Sequence, residues 1–181
     1  MPNQVTAGIT PMCAAHYTGR HPRIGAGPRG EMSIAGVPCI GASISFAREI
    51  GRHFEVRLRV SYDKPFPAND ALEAGLHELY ATVGPALVAY RMNDALTVTL
   101  GPEVGFYGAF FTRTEALGGA IEPFRAPGWT TAMTAAVRPW ITYHTGFFGE
   151  VSAGVASGVA DDIEVRAGWL GRVTVGWADR F

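Results

Sequence analysis

Apolar residues recur at every second position along most of the chain, charged residues collect on the intervening positions, and the connections alternate between short and long. These three features predict an all-β fold: an eight-stranded antiparallel up-and-down β-barrel, forming a single domain over residues 1–181. Successive strand side chains point to opposite faces, so a period of two gives each strand one oily and one polar face.

Val5, Ala7 and Ile9, against Thr6, Gly8 and Thr10, make a weak first strand. Within Met32–Arg48, Ile40, Ala42, Ile44 and Phe46 face away from Gly41, Ser43, Ser45 and Ala47. His53–Asp63 is the sharpest case. Phe54, Val56, Leu58, Val60 and Tyr62 alternate with Glu55, Arg57, Arg59, Ser61 and Asp63, whereas a helix would spread those charges all round. Leu79–Tyr90 keeps phase less sharply. Ala95–Thr112 sets Leu96, Val98, Leu100, Val104, Phe106 and Phe110 against Thr97, Thr99, Gly101, Glu103, Gly105 and Tyr107. Trp129–Tyr143 opposes Trp129, Met133, Val137, Ile141 and Tyr143 to Thr130, Thr134, Arg138 and Thr142. Phe147–Ala160 opposes Phe147, Val151, Val155 and Val159 to Glu150, Ser152, Ala156 and Gly158. Ile163–Phe181 opposes Ile163, Val165, Trp169, Val173, Val175 and Trp177 to Glu164, Arg166, Arg172 and Thr174.

The apolar phases named here hold no charge; the polar phases hold Arg57, Arg59, Arg138, Arg166 and Arg172 with Glu55, Glu78, Glu103, Glu150, Glu164 and Asp63. Glu49–Arg52, Arg91–Asp94 and His144–Gly146 read as short turns. Cys13–Glu31, Lys64–Glu78 and Arg113–Gly128 read as long loops, with Asp161–Asp162 as the exception. Short turns at one end and long loops at the other are the arrangement of outer-membrane barrels. Prolines 38, 85, 102 and 139 fall on the oily phase. A closed barrel has no edge to hold them, so they are read as bulges or local losses of pairing.

Composition narrows the classes further. Charged residues make up 17% of the 181, against roughly 25% in ordinary soluble domains, while 48% are hydrophobic. A net charge of −1 supplies no field to gather nucleic acid or acidic lipid. Met32–Ala47 is too short for a spanning helix and is interrupted by Gly36, Pro38 and Gly41. Met1–Gly19 lacks the basic head and apolar run of an export signal, so an exported chain would have lost its signal already.

Four features turn the oily face outward. The polar face is rich in Gly, Ala and Ser, and Lys64 is the sole lysine. The interior of an eight-stranded barrel is just wide enough for side chains, so Phe, Trp and Leu on every strand would overfill it. Oily-face aromatics gather at strand ends: Phe46, Phe54, Tyr143, Phe147 and Trp177 by the short turns, Tyr62, Phe110 and Trp129 by the long loops. Two such rings suit the two boundaries of a bilayer. Finally, the chain ends on the oily phase at Phe181, an aromatic that a soluble protein has little reason to expose. The expected barrel is therefore transmembrane.

Val83-Gly84-Pro85, Leu100-Gly101-Pro102-Glu103-Val104-Gly105-Phe106-Tyr107 and the terminal Val173-Thr174-Val175-Gly176-Trp177 with Phe181 carry a likeness over nearly the whole chain. In these segments it resembles small bacterial outer-membrane β-barrels of the OmpA/OmpX-like superfamily. The resemblance implies that Val173, Val175, Trp177 and Phe181 form the signal read by the barrel-assembly machinery, with Gly176 permitting close approach; Asp179 departs from the alternation there.

In a narrow lumen the inward charges must pair, which gives either a salt-bridged plug or a narrow ion path. His16, His21, His53, His77 and His144 show no metal-ligand spacing, and no metal or other cofactor is expected. His144, Ser152 and Glu150 would have to converge for hydrolysis, and no Gly-x-Ser-x-Gly elbow occurs. Cys13 and Cys39 form either a disulfide, worth roughly 3 kcal/mol by loop closure, or two free thiols; regular strands would set them on opposite faces. Arg20, Arg23 and Arg29, with His21, belong to a loop that meets either solvent or lipid phosphate.

The expected function is that of an integral outer-membrane barrel with a structural or interaction role, long extracellular loops and a salt-bridged lumen, and no enzymatic activity. Its expected partners are membrane lipid or lipopolysaccharide, the barrel-assembly machinery and an envelope protein met through the loops, with no nucleic acid. The alternatives are a narrow passive channel, a soluble lipid-binding barrel with its apolar face inward, and a lipid-modifying enzyme.

Overall fold

The computed structural model describes residues 2–20, 31–66, 76–111, 114–116, 119–121, 124–160 and 163–181, with side chains described over 2–13, 38–66, 76–110, 125–159 and 170–181. Eight long strands close into one barrel: β1 (Asn3–Arg20), β2 (Glu31–Ile50), β3 (Phe54–Pro65), β4 (Leu76–Met92), β5 (Leu96–Phe111), β8 (Phe124–Pro139), β9 (Thr145–Ala160) and β10 (Ile163–Arg180). Between β5 and β8 lies a small hairpin of β6 (Thr114–Ala116) and β7 (Gly119–Ile121). Consecutive barrel strands pair antiparallel, and β10 returns to β1. That seam runs to the last residue: Asn3 N–H donates to the Phe181 carbonyl (2.8 Å) and Phe181 N–H to that of Asn3 (3.0 Å).

The period-two reading sets the faces. Along β3 exposed and buried residues alternate without a break, Phe54 through Tyr62 outside and Glu55 through Asp63 inside. The apolar face points outward on every barrel strand with described side chains, as at Ile44, Leu58, Val83, Val104, Met133, Val151 and Val175. The alternative of a soluble barrel with its apolar face inward is thereby overturned.

Several strands run further toward the long-loop end than alternation alone indicated. β1 continues to Arg20 and β8 begins at Phe124, so much of what reads as loop is paired backbone. Asp161 and Asp162 lie outside the described residues. At the other end two turns use left-handed backbone, at Gly51 (φ 73°) and Asn93 (φ 49°), residue types that tolerate it. The third turn corrects the sequence reading. β8 ends at Pro139, and Ile141 and Tyr143 are turn residues, not strand residues. Thr142 Oγ1 holds this turn by accepting from His144 N–H (3.2 Å) and Thr145 N–H (3.0 Å).

Cys13 is a second correction. A bulge between Thr10 and Cys13 shifts the phase of β1 by one residue and turns Cys13 inward, directly opposite Cys39. The two form a disulfide across β1 and β2, with Cα atoms 5.1 Å apart. Pro85 and Pro102 lie opposite each other in a gap of the β4–β5 ladder, between Val83↔Val104 and Leu87↔Leu100. Neither has an N–H to donate, so pairing lapses there while the register is kept. Inward Gly84 and Gly101 lie within the gap and let the backbones close up: a Cβ on Gly84 would lie 2.9 Å from Glu103 Cα. Pro38 sits beside the irregular stretch of β1, and Pro139 terminates its strand.

Phe148 is a large apolar side chain that projects inward near the short-turn end. Phe148 stands in register with Gly176, and Gly176 with Gly8, so its ring lies over two glycines on adjacent strands. A Cβ on Gly8 would come within 2.7 Å of Phe148 Cζ. Gly8→Val should therefore expel the ring and cost about 1–3 kcal/mol, read as a lower urea midpoint in detergent, with Ala7→Val on the outer face leaving the midpoint unchanged.

Candidate functional site

The inner faces of β3, β5, β8 and β9 bring together Glu55, Arg57, Arg59, Glu103, Arg138 and Glu150, all buried. Each projects inward because it occupies the polar phase of its strand. Arg138 donates from both Nη atoms to the two Glu55 oxygens, 2.8 Å each, a bidentate pair. Arg57 reaches Glu55 (2.7 Å), Glu103 and Glu150 (3.3 Å each) and donates to Thr99 Oγ1 (2.9 Å). Arg59 pairs with Glu150 and lies 3.1 Å from Glu103, which also accepts from Thr82 Oγ1 (2.8 Å). Three guanidiniums face three carboxylates, so the cluster has no net charge.

Going round the ring of strands, β9 lies four steps from β3, directly across the lumen. The contacts of Arg57 and Arg59 with Glu150 thus cross the full bore. Above the cluster, toward the long-loop end, Arg172 pairs with Asp63 and donates to Ser61 Oγ (3.2 Å). Its guanidinium lies 3.7 Å from the Tyr80 ring centroid, and Tyr80 packs on Tyr107, whose hydroxyl donates to Glu78 (2.6 Å). The Cys13–Cys39 disulfide is at this end, close to the Asp63 carboxylate. Those three residues are the one group of potential metal ligands among the described residues, and its sulfurs are bonded to each other.

At the short-turn end Trp140, Phe148 and Ala178 form an apolar cluster. Arg180 stacks on the Trp140 ring at 4.0 Å and lies 3.7 Å from Asp94. Glu49 accepts from Gln4 (3.1 Å) and Arg91 (2.6 Å) beside it. Sequence reasoning missed this end, although Phe148, Ala178 and Arg180 all fall on inward phases that alternation defines.

Of the remaining residues singled out from sequence, the side chains of Glu164 and Arg166, and all of His21, Arg23 and Arg29, lie outside the described residues. Val175, Trp177 and Phe181 are exposed in a column down the outside of β10, with Val173 half-buried above them. The Trp177 indole stacks edge-on against Phe147 and donates to Asp179 (3.1 Å), which accounts for an acid on this face. His144, Ser152 and Glu150 do not converge. His144 contacts the Arg180 carbonyl at the exposed turn, Ser152 faces the lumen, and Glu150 is held by Arg57 and Arg59.

A closed eight-stranded antiparallel wall, oily outside and polar inside, defines the class: this is the fold of small outer-membrane barrels. Among solved structures the chain is similar to the outer membrane protein OprG from Pseudomonas aeruginosa, with 13% identity, a TM-score of 0.62, and coverage of 99% of this chain and 95% of that one. It is also similar to Neisserial surface protein A (NspA), with 14% identity, a TM-score of 0.55 and coverage of 99% and 97%. At these identities the likeness is one of fold. No protein-family model and no curated protein matches the chain.

Arg138→Met would leave two guanidiniums against three carboxylates and should cost about 3–5 kcal/mol, because a charge is left buried without its partner. Glu55→Met combined with Arg138→Met restores neutrality and should recover most of that loss. Urea unfolding of the two single variants and the double variant in detergent measures the coupling.

Proposed function

We propose that the chain is an integral protein of a bacterial outer membrane, with a structural or interaction role and a lumen that does not serve as a pore. The carrying observation is the outer wall. Trp129, Met133, Val151, Phe147, Leu58 and Val104 are each at least half exposed, on four of the eight strands, and nothing among the described residues covers them. Exposed patches of this size on a water-soluble monomer would drive aggregation. From Phe54 to Tyr62 the apolar run of β3 is about 26 Å along the strand. A tilt of roughly 40° brings that to about 20 Å, comparable to the apolar belt of such barrels.

The neutral cluster that crosses the bore supports a plug over a channel, since a conducting filter is lined by charge of one sign or by carbonyl rings. The outward column Val173, Val175, Trp177 and Phe181 supports recognition of the last strand by a barrel-assembly machinery. The interaction role falls to the long-loop end, where lipopolysaccharide or an envelope protein is the partner. The chain acts there as a binding and anchoring element and not as an enzyme.

Refolding tests the membrane reading. After dilution from urea, a β-type circular dichroism spectrum and a heat-dependent gel mobility should appear in detergent micelles and not in plain buffer. Monomeric β-structure in buffer alone would overturn it. In planar bilayers the inserted protein should give no steady conductance; a large, steady one would replace the plug with a channel.

A further inference from the structure

Among the described residues, the guanidiniums inside the barrel are paired with carboxylates and two cations on the outside are not. Asp63 and Glu78 are partners in the β3–β4 ladder, and the next residues outward along the two strands are Lys64 and His77. His77 is opposite Phe110 on β5, and Phe110 is opposite Arg125 on β8. Alternation sends all four to the outer wall, where Lys64 and Arg125 are exposed and His77 and Phe110 half-buried. Four adjacent strands therefore present Lys64, His77, Phe110 and Arg125 in one row at the long-loop end.

The surroundings fit a boundary between apolar and polar media. Tyr62 stands one outward position below Lys64, with its hydroxyl in hydrogen-bond contact with His77 Nδ1. Lys64 Nζ lies 5.9 Å from the Phe66 ring centroid. Neither Lys64 nor Arg125 pairs with a carboxylate among the described residues, in contrast to the guanidiniums of the lumen. Two unmatched cations, an imidazole and a phenol hydroxyl thus sit just above aromatic side chains that face the apolar belt.

We propose that this row is a recognition site for the phosphorylated headgroup of a membrane lipid in the leaflet on the long-loop side, a reading that rests on the membrane-spanning function above. Strands about 4.8 Å apart place Lys64 and Arg125 roughly 14 Å from each other, a span that a large headgroup or two neighbouring ones fill. Guanidinium and ammonium groups bind phosphate oxygens by charge-assisted hydrogen bonds. Tyr62 and Phe110 set the depth of the row by holding the acyl side of the boundary beneath it. The lipid is the source of the phosphate, because the wall around the row is apolar and offers a free anion no enclosure.

The test uses the full chain refolded into phosphatidylcholine bilayers doped with phosphatidic acid, with retained lipid counted by native mass spectrometry. Phosphatidic acid should be enriched over its bulk fraction, and excess inorganic phosphate should not displace it. Lys64→Gln and Arg125→Gln should each lower the enrichment about fivefold, the worth of one cation at a lipid surface. Arg48→Gln, an exposed outward charge at the short-turn end, should leave it unchanged. Absence of enrichment, equal enrichment in the three variants, or displacement by free phosphate would each overturn the proposal. Heat-dependent mobility of every sample separates the two readings. A wild-type chain that fails to fold in bilayers defeats both, and a folded one without enrichment defeats this one alone.

Discussion

The narrowness of the bore is the constraint on which the rest of this structure depends. Eight strands enclose a space that side chains just fill, so large apolar residues have nowhere to go but outward. What remains inside is mostly small or charged and paired, with a few rings, Phe148, Trp140, Tyr80 and Tyr107, given room by their neighbours. Ion pairs are costly to bury, and a well-packed apolar core is often as stable. Here they solve a geometric problem that apolar groups do not. Arg57 and Arg59 extend across the lumen to meet Glu150 on the opposite wall, linking strands that share no backbone hydrogen bond. Long, slender side chains with directional ends can tie a cylinder across its diameter.

Glycine placement follows from the same shortage of space. Phe148 is accommodated inside because Gly8 and Gly176 yield their side-chain volume to its ring. Near Pro85 and Pro102 the sheet gives up ladder bonds, and Gly84 and Gly101 allow the backbones to approach where pairing is lost. Clustering two prolines opposite each other confines the missing donors to one short gap. Separated, they would have interrupted two stretches of the wall.

The faces of β3, β5 and β9 were legible in the sequence because alternation is a local property. Each inward Glu and Arg in them could be named from its position alone. Partner choice was not legible: that Arg138 meets Glu55 and not Glu103 depends on how the ring closes and on its stagger. Cys13 was misplaced because a bulge adds a residue without leaving a mark in the hydrophobic pattern. Ile141 and Tyr143 read as strand because apolar residues at the bilayer boundary continue the period past the point where Pro139 ends pairing.

These constraints also explain how a chain can share its fold with OprG at 13% identity over nearly its full length. The outer wall asks only for apolar residues, which substitute freely for one another. The lumen asks only that volume be filled and that buried charge find partners, conditions that many sets of residues meet. Phase is therefore strongly held while identity drifts. A barrel of this kind advertises its architecture in pattern and keeps its individuality where the pattern imposes nothing. On the described residues that means the outward positions at the long-loop end, where Lys64, His77 and Arg125 are required neither to be apolar nor to cancel. Charge that the fold does not need, set outward at the long-loop end of a mostly oily wall and without a carboxylate partner among the described residues, is where selection for a partner can be read.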